Sequence, residues 1–256
     1  MNKILGVIPA RWASSRFPGK PLAKLGGREM ILLVYERAKA TGLFDRLIIA
    51  TDSEKILNLA IKEGYDAMMT LESHRCGTER CVEVVENLES QGEIYDIIIN
   101  IQGDEPLIAK EQLSQIINGF TSQEVEIYSL CKKISDEKEL ISPNTVKAIF
   151  DKSMNALYFS RSIIPYHRNS PKGYSLSEIN YYKHIGLYGF RTETIKDLVR
   201  LEETPLETYE SLEQLRSLEN GYKIGLGITE LDNYGIDTPE DLEELNKKLK
   251  DNNIIG

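Results

Sequence analysis

Short apolar runs alternate with longer amphipathic stretches along the first half of the chain. The runs are apolar at nearly every position, which is typical of strands buried on both faces of a sheet. The predicted strands are 4–8, 47–50, 67–69 and 97–101. The predicted helices that follow them are 29–41, 54–63, 78–89 and 110–118. This alternation predicts an α/β fold with a mostly parallel, Rossmann-like sheet sandwiched by helices.

The second half of the chain has a looser pattern. Turns rather than helices separate its apolar runs, which predicts added antiparallel strands. These strands are predicted at 124–131, 145–151 and 156–160. The segment 165–182 is rich in Pro, Asn, Ser, Gly and Tyr and predicts an exposed loop. We expect a single domain spanning 1–256, because no linker interrupts the pattern, with a smaller lobe formed mainly by about 125–190.

Two further helices are predicted near the end of the chain. The stretch 210–220 is followed by Gly221, a common stop signal. The stretch 239–250 begins with Pro239, a residue that favours the first helical position, and Thr238 before it is a typical cap.

The balance of charge excludes some classes of partner. The 256 residues include 31 basic and 40 acidic side chains, a formal net charge of -9. This charge repels polyphosphate backbones and anionic membranes, so we expect neither nucleic acid nor membrane as a partner. The apolar runs are shorter than the roughly 18 residues of a membrane span, and no signal peptide is evident. We expect a soluble, cytoplasmic protein with reduced cysteines.

Basic residues are concentrated at the amino end. Residues 1–28 contain no Asp or Glu, and their cations are Lys3, Arg11, Arg16, Lys20, Lys24 and Arg28. Most of them lie around a loop at 9–20 that follows the first predicted strand, where open α/β sheets bind ligands. Arginine grips phosphate oxygens bidentately and lysine adds a point charge, so this loop predicts a polyphosphate site. It is neither a P-loop nor a GxGxxG turn.

Two aspartates are candidate metal ligands. Asp104 follows the fourth predicted strand, and Gly103 before it permits a tight turn. Asp237 precedes the last predicted helix, where a purely structural role in capping the helix is the alternative. Carboxylates beside a triphosphate are typical magnesium ligands.

Several runs of the chain together resemble the nucleotide-diphospho-sugar transferase-like cytidylyltransferases, and among them those that act on 3-deoxy-manno-octulosonate (Kdo). The matching runs occur in the family's order. They are IPARWASSRFPGKPL from Ile8, VYERA from Val34, IIATDSE from Ile48, CGTERC from Cys76, NIQGDEP from Asn100, SPNTVK from Ser142, ALYFSR from Ala156, HIGLYGF from His184, LEQLRSLENG from Leu212 and GIDTPEDLE from Gly235.

The resemblance implies an activity and its partners. The implied reaction transfers CMP from CTP to the anomeric hydroxyl of Kdo and releases pyrophosphate, for lipopolysaccharide biosynthesis. It implies Mg²⁺ as cofactor, held by Asp104 and Asp237, and a homodimer. These two aspartates, Arg11 and Lys20 would be the catalytic residues, with Arg11 and Lys20 stabilising the leaving pyrophosphate.

The resemblance also implies binding residues. For CTP, it implies that Arg11, Ser14 and Lys20 bind the phosphates. The implied cytosine and ribose contacts are Gly77, Thr78, Arg80 and Gln102. The implied sugar contacts are Arg161, His184, Tyr188, Glu213 and Gln214.

Two departures from the family leave the acid sugar open. Cys76 stands where the family commonly has serine, and Tyr166 with His167 replaces a common Trp-Asp pair. An enzyme for 8-amino-Kdo would keep the same nucleotide motifs. An enzyme for an acylneuraminate or a related acid sugar is a further alternative, and the LEQLR and HIGLYGF runs favour Kdo over it. A nucleotide-binding regulatory module without catalysis is the alternative from a different class, and a Rossmann dehydrogenase is disfavoured because the glycine fingerprint is missing.

Overall fold

The structure is a computed structural model that describes residues 2–13, 16–122 and 124–252. Its strands are β1 (Ile4–Ala10), β2 (Lys24–Leu25), β3 (Arg28–Glu29), β4 (Arg46–Thr51), β5 (Ala67–Met69), β6 (Ile97–Asn100), β7 (Ile127–Lys133), β8 (Lys147–Phe150), β9 (Ala156–Ser160), β10 (Tyr182–Arg191) and β11 (Ile224–Ile228). Its helices are α1 (Met30–Ala40), α2 (Glu54–Lys62), α3 (Gly77–Ser90), α4 (Lys110–Ser122), α5 (Glu137–Ile141), α6 (Thr192–Leu198), α7 (Pro205–Glu210), α8 (Gln214–Glu219) and α9 (Pro239–Asn252). Within these described residues, no helix is both long and apolar enough to cross a bilayer.

The chain forms two compact units. Unit 1 contains the described residues of Met1–Leu113 and Asn233–Gly256, and unit 2 those of Ser114–Asp232. The lobe predicted at about 125–190 falls inside unit 2, which extends further at both ends.

Unit 1 is built on a parallel sheet. β1 pairs with β4 on one side and β6 on the other, so that Val7 lies opposite both Ile48 and Asn100, and β5 pairs with β4. Strands β1, β4 and β6 are almost entirely buried, as their apolar runs predict. Because every pair is parallel, the carboxyl ends of these strands lie at one edge of the sheet. The α/β fold and the four strands predicted for the first half are confirmed.

Unit 2 contains a mixed sheet. β7 is parallel to β11 and antiparallel to β10, and β8 is antiparallel to both β9 and β10. The antiparallel strands predicted for the second half are therefore confirmed. The loop predicted at 165–182 is irregular up to residue 181, and β10 starts at the next residue. β10 and β11 are not predicted by the apolar pattern, because glycines interrupt both strands and polar residues begin β10.

The prediction of one helix over 210–220 is wrong for its first residues. α7 ends at Glu210, Ser211 adopts a left-handed conformation (φ 51°), and α8 begins only at Gln214. The break lets Leu212 turn inward, where it is buried. Thr204 and Glu207 have the spacing of a capping box at the start of α7, a sequence signal for a separate helix, and the backbone N–H of Thr204 donates to Oε2 of Glu207 at 3.3 Å.

We predict that Gly119→Ala destabilises the protein, although alanine normally favours a helix. A Cβ at Gly119 would lie 2.4 Å from ring atoms of the buried Tyr128, so α4 or the ring must shift. The expected loss is about 1–3 kcal/mol in the free energy of unfolding, measured by urea denaturation. Asn118→Ala, at the exposed neighbouring position, is the control and should change stability by less than about 0.5 kcal/mol. Equal stabilities for the two variants would contradict the close contact.

Candidate functional site

A cavity of about 330 Å³ opens in unit 1 at the carboxyl edge of the parallel sheet. Its wall is formed by the end of β1, the loop after β1, the turn after β6, the start of α3 and the segment before α9. The predicted site residues in this wall are Arg11, Lys20, Gly77, Arg80, Gln102, Asp104 and Asp237. Parts of the chain far apart in sequence therefore meet where a doubly wound sheet binds its ligand.

Two of the predicted nucleotide contacts are not among the described residues of this wall, which also contains residues that were not predicted. Ser14 falls outside the described residues. Thr78 is buried in the first turn of α3 and is not part of the described wall. Arg16, a cation of the predicted basic loop, lines the cavity, and so do His74 and Arg75, which were not predicted.

Close backbone packing brings the walls together. A Cβ at Gly103 would lie 2.6 Å from the carbonyl oxygen of Pro9, so the turn after β6 can approach β1 only without a side chain. A Cβ at Gly77 would lie 3.2 Å from the ring of Pro9, so the start of α3 is also tightly packed there. The glycines thus set the distance between the elements that carry the polar groups.

Lys20 joins the two predicted metal ligands. Its Nζ lies 2.6 Å from Oδ2 of Asp104 and 3.4 Å from Oδ1 of Asp237. Arg16 Nη2 lies 3.1 Å from the same oxygen of Asp237. The backbone N–H of Ile236 also donates to the carbonyl of Asp104 at 2.9 Å, which fixes the two aspartate segments side by side. The side chains of Lys20, Asp104 and Asp237 therefore lie together, as predicted.

The chemistry of this pair fits magnesium. Two carboxylate oxygens within reach of one small cation are hard donors, and Mg²⁺ is usually bound by one or two carboxylates together with substrate phosphates and waters. No cluster of three or more His, Cys, Asp or Glu suited to a metal occurs among the described residues. A metal held by Asp104 and Asp237 therefore needs oxygens from the nucleotide to complete its coordination.

Glu105 is a buried carboxyl beside this pair that was not predicted. Burial raises the pKa of Glu105 to about 7, a hydrogen bond from Asn233 opposes the shift, and the charge of Asp104 adds to it. Asn233 Nδ2 donates to Glu105 Oε1 at 2.9 Å. This bond is a second link between the turn after β6 and the segment that carries Asp237.

Arg80, predicted to contact the base or ribose, is held in place by several partners within the protein. Its side chain is 2% exposed, and its Nη2 lies 2.5 Å from Oδ2 of Asp52. Its Nη1 donates to Oγ1 of Thr70 at 2.8 Å and to the carbonyl of Leu71 at 3.0 Å. Asp52 was not predicted, although it follows β4 at the same sheet edge, a position that is itself a signal.

The predicted sugar contacts gather in unit 2. The rings of His184 and Tyr188, both on β10, have centroids 5.2 Å apart. His184 Nε2 lies 2.9 Å from Oγ of Ser129 on β7. Burial raises the pKa of Tyr188 well above its ordinary value, and the negative charge of Glu213 adds to the shift. Gln214 follows Glu213 at the start of α8.

Burial lowers the pKa of His184 to about 3. The imidazole is therefore neutral near pH 7 and offers one donor and one acceptor nitrogen rather than a positive charge.

Arg161 donates most of its guanidinium N–H groups to backbone carbonyls. Its Nε donates to the carbonyl of Glu210 at 2.6 Å, its Nη1 to that of Pro143 at 3.0 Å and its Nη2 to that of Ser211 at 3.2 Å. A guanidinium has five N–H groups, so two still point elsewhere. Arg161 thus fixes the turn between α7 and α8, close to Glu213, while keeping donors for a ligand.

Comparison with known proteins identifies the family. Residues 5–224 match the family model described as cytidylyltransferase. A protein of Parabacteroides distasonis named 3-deoxy-manno-octulosonate cytidylyltransferase is 48% identical, over 95% of this chain and 97% of that one. A protein of Thermodesulfovibrio yellowstonii with the same name is also 48% identical, over 95% and 96% of the two chains.

Solved structures agree with the sequence comparison. A CMP:2-keto-3-deoxy-manno-octonic acid synthetase complexed with CTP has a TM-score of 0.89 and 37% identity, over 97% of this chain and 99% of that one. A 4-diphosphocytidyl-2C-methyl-D-erythritol synthase from Anaerococcus prevotii has a TM-score of 0.62 at 17% identity, over 97% and 99% of the two chains, which shows a shared fold alone.

We predict that Glu105→Gln stabilises the protein at alkaline pH. Burial raises the pKa of Glu105 from 4.5 to about 7, so the folded state binds this proton more tightly than the unfolded state. The carboxyl therefore costs stability progressively as the pH rises from about 4.5 to 7. The uncharged variant should gain about 3 kcal/mol over the wild type between about pH 4 and pH 8, measured by urea denaturation.

The exposed Glu111→Gln is the control for this measurement. Its stability should follow the wild type at every pH. If the stability of Glu105→Gln also follows that of the wild type between about pH 4 and pH 8, burial does not raise the pKa of Glu105.

Proposed function

This chain belongs to the cytidylyltransferase family, and within it to the 3-deoxy-manno-octulosonate cytidylyltransferases, and from that premise we propose that it transfers CMP from CTP to the anomeric hydroxyl of Kdo. Pyrophosphate is the second product. The observation that carries the proposal is the meeting of Lys20, Asp104 and Asp237 in one cavity at the carboxyl edge of a parallel sheet. The product is an activated sugar for lipopolysaccharide biosynthesis.

The basic loop after β1 is proposed to bind the CTP phosphates. Arg11, Arg16 and Lys20 line the cavity, and their charges compensate the triphosphate in an otherwise acidic protein. The anomeric hydroxyl attacks the α-phosphorus in line, and the bond to pyrophosphate breaks as the new P–O bond forms. Lys20 neutralises two carboxylates in this structure, and with CTP bound it would pair with oxygens of the leaving pyrophosphate.

Asp104 and Asp237 are proposed to hold Mg²⁺. When bound, the ion supplies charge neutralisation at the phosphoryl oxygens and favours deprotonation of the sugar hydroxyl. The two carboxylates keep their spacing because the backbone bond from Ile236 to Asp104 and the bond from Asn233 to Glu105 hold their segments together.

Cytosine and ribose are proposed to lie against Gly77 and Gln102, both in the cavity wall. Gly77 opens α3 in the cavity wall, and the positive end of the helix dipole there favours acceptor atoms of a ligand. Gln102 offers an amide that can donate and accept at once.

The polar group of unit 2 is proposed to bind Kdo. Protonated Tyr188 suits hydroxyl groups because its phenol can donate and accept hydrogen bonds. Neutral His184 keeps one ring nitrogen, Nδ1, for a sugar hydroxyl, because Nε2 contacts Ser129. The remaining N–H groups of Arg161 suit the carboxylate of the acid sugar. Glu213 and Gln214 would add acceptors for sugar hydroxyls.

Assembly and location complete the proposal. We place the enzyme in the cytoplasm, where CTP is available, and we propose that it acts as a homodimer. Large apolar side chains of unit 2 such as Leu157 (59% exposed) and Tyr209 (83% exposed) support association, because such residues favour interfaces.

A panel of acid sugars tests the activity. The enzyme is incubated with CTP and Mg²⁺ together with Kdo, 8-amino-Kdo or N-acetylneuraminate, and pyrophosphate release is followed. Rapid release with Kdo is expected. Faster pyrophosphate release with 8-amino-Kdo or N-acetylneuraminate would assign that sugar as the substrate in place of Kdo. CTP binding without pyrophosphate release with any of the three sugars would favour a regulatory module without catalysis.

We predict that Asp104→Asn lowers kcat by roughly 100-fold or more, because a neutral amide is a poor magnesium ligand. Among the described residues, no group of three or more acidic, His or Cys side chains suited to a metal is present to compensate. Folding should be retained, since the carboxyl is partly exposed at the cavity. Pyrophosphate release at saturating CTP and Kdo, across a Mg²⁺ titration, provides the measurement. Asp197→Asn, on the exposed surface of unit 2, is the matched control and should behave as wild type. Near-normal turnover of the Asp104 variant would refute the metal assignment.

A further inference from the structure

The basic loop is anchored to the rest of unit 1 through the backbone of Trp12. Its N–H donates to Oδ1 of Asp52 at 2.8 Å, and its carbonyl accepts from the N–H of Gly19 at 3.1 Å. Gly19 has a φ of 72°, and a Cβ there would lie 3.2 Å from the indole ring. The loop therefore closes on itself at Trp12 and is tied to β4 by one carboxylate.

That carboxylate is itself fixed. The side chain of Asp52 is 6% exposed, and its second oxygen, Oδ2, receives Nη2 of Arg80 at 2.5 Å. Arg80 is in turn held by Thr70 and Leu71. Asp52 thus bridges a rigid, buried guanidinium on α3 and the backbone of a loop that carries cations.

The contact with Asp52 holds the loop in place against the mutual repulsion of its cations. Arg11, Arg16 and Lys20 repel one another, and the loop contains no acidic residue that would hold it in place. An acidic side chain paired with one of these cations would reduce its attraction for phosphate. Asp52 instead binds a backbone N–H and balances its charge against Arg80. It therefore positions the loop without adding to the carboxylates, Asp104 and Asp237, that already pair with Lys20 and Arg16.

We propose that Asp52 is a positioning residue for CTP binding, and that Arg80 acts through it by fixing its carboxylate rather than mainly as a base or ribose contact. The inference rests on the proposed function, because it assigns the loop's cations to the phosphates of CTP. Neither residue is proposed to touch the reacting atoms.

The test compares Asp52→Ala with a matched carboxylate variant. Asp45 is the control, because its Oδ2 also accepts a backbone N–H, but from Ile4 at the amino end of β1, at 2.6 Å. Both variants lose a carboxylate that accepts a backbone N–H in unit 1, and Asp52→Ala also loses the ion pair with Arg80. Only Asp52→Ala should affect CTP.

Loss of a hydrogen bond to a charged group should weaken CTP binding roughly 10- to 100-fold, with the KM for Kdo within about twofold of wild type. Trp12 is the single tryptophan of the chain, so its fluorescence reports on the loop directly. In Asp52→Ala without ligand, acrylamide should quench this fluorescence more strongly than in the wild type, whereas Asp45→Ala should match the wild type.

A second variant covers the case in which Asp52→Ala fails to fold because Arg80 is left buried and unpaired. The double variant Asp52→Ala with Arg80→Met removes both charges and should show the same loss of CTP affinity and the same increase in quenching. Wild-type CTP binding and quenching in the folded variants would overturn this inference alone. Failure of the unsubstituted protein to bind CTP would overturn the proposed function and this inference with it.

Discussion

A single ammonium group shared by two carboxylates organises the cavity of unit 1. Lys20 contacts Asp104 and Asp237, which lie far apart in sequence, and so joins the loop after β1, the turn after β6 and the segment before α9. The contact depends on backbone packing, because a side chain at Gly103 would collide with the carbonyl of Pro9. The charges can meet only because the strands beneath them are parallel and end at one edge.

The sequence predicts those parts of the molecule that depend on local pattern. Buried parallel strands read as continuous apolar runs, so β1, β4 and β6 are predicted within a few residues. β10 and β11 are not, because glycines and polar residues hide their strand character, and their pairing partners are distant in the chain. The helix at 210–220 is misjudged because the inward turn of Leu212, a tertiary requirement, outweighs local helical preference.

The residues of the site likewise fall into those that the sequence predicts and those that it does not. Lys20, Asp104 and Asp237 can be found from charge type and from position after a strand or before a helix. Asp52 and Glu105 escape such reasoning, because their importance comes from partners, Trp12 and Asn233, that only the folded chain brings near. For Arg80, the motif gives the correct position in the cavity wall but not the contacts that hold its guanidinium.

Unit 1 is discontinuous in sequence, and this has a consequence for synthesis. Its sheet is made from residues before Leu113, but Asp237 belongs to a segment that follows the whole of unit 2. On the ribosome, the growing polypeptide therefore contains Lys20 and Asp104 for most of its translation while their third partner does not yet exist. The acidic pair can be completed only after the whole of unit 2 has been synthesised, which delays the moment at which a nascent chain could capture a divalent ion.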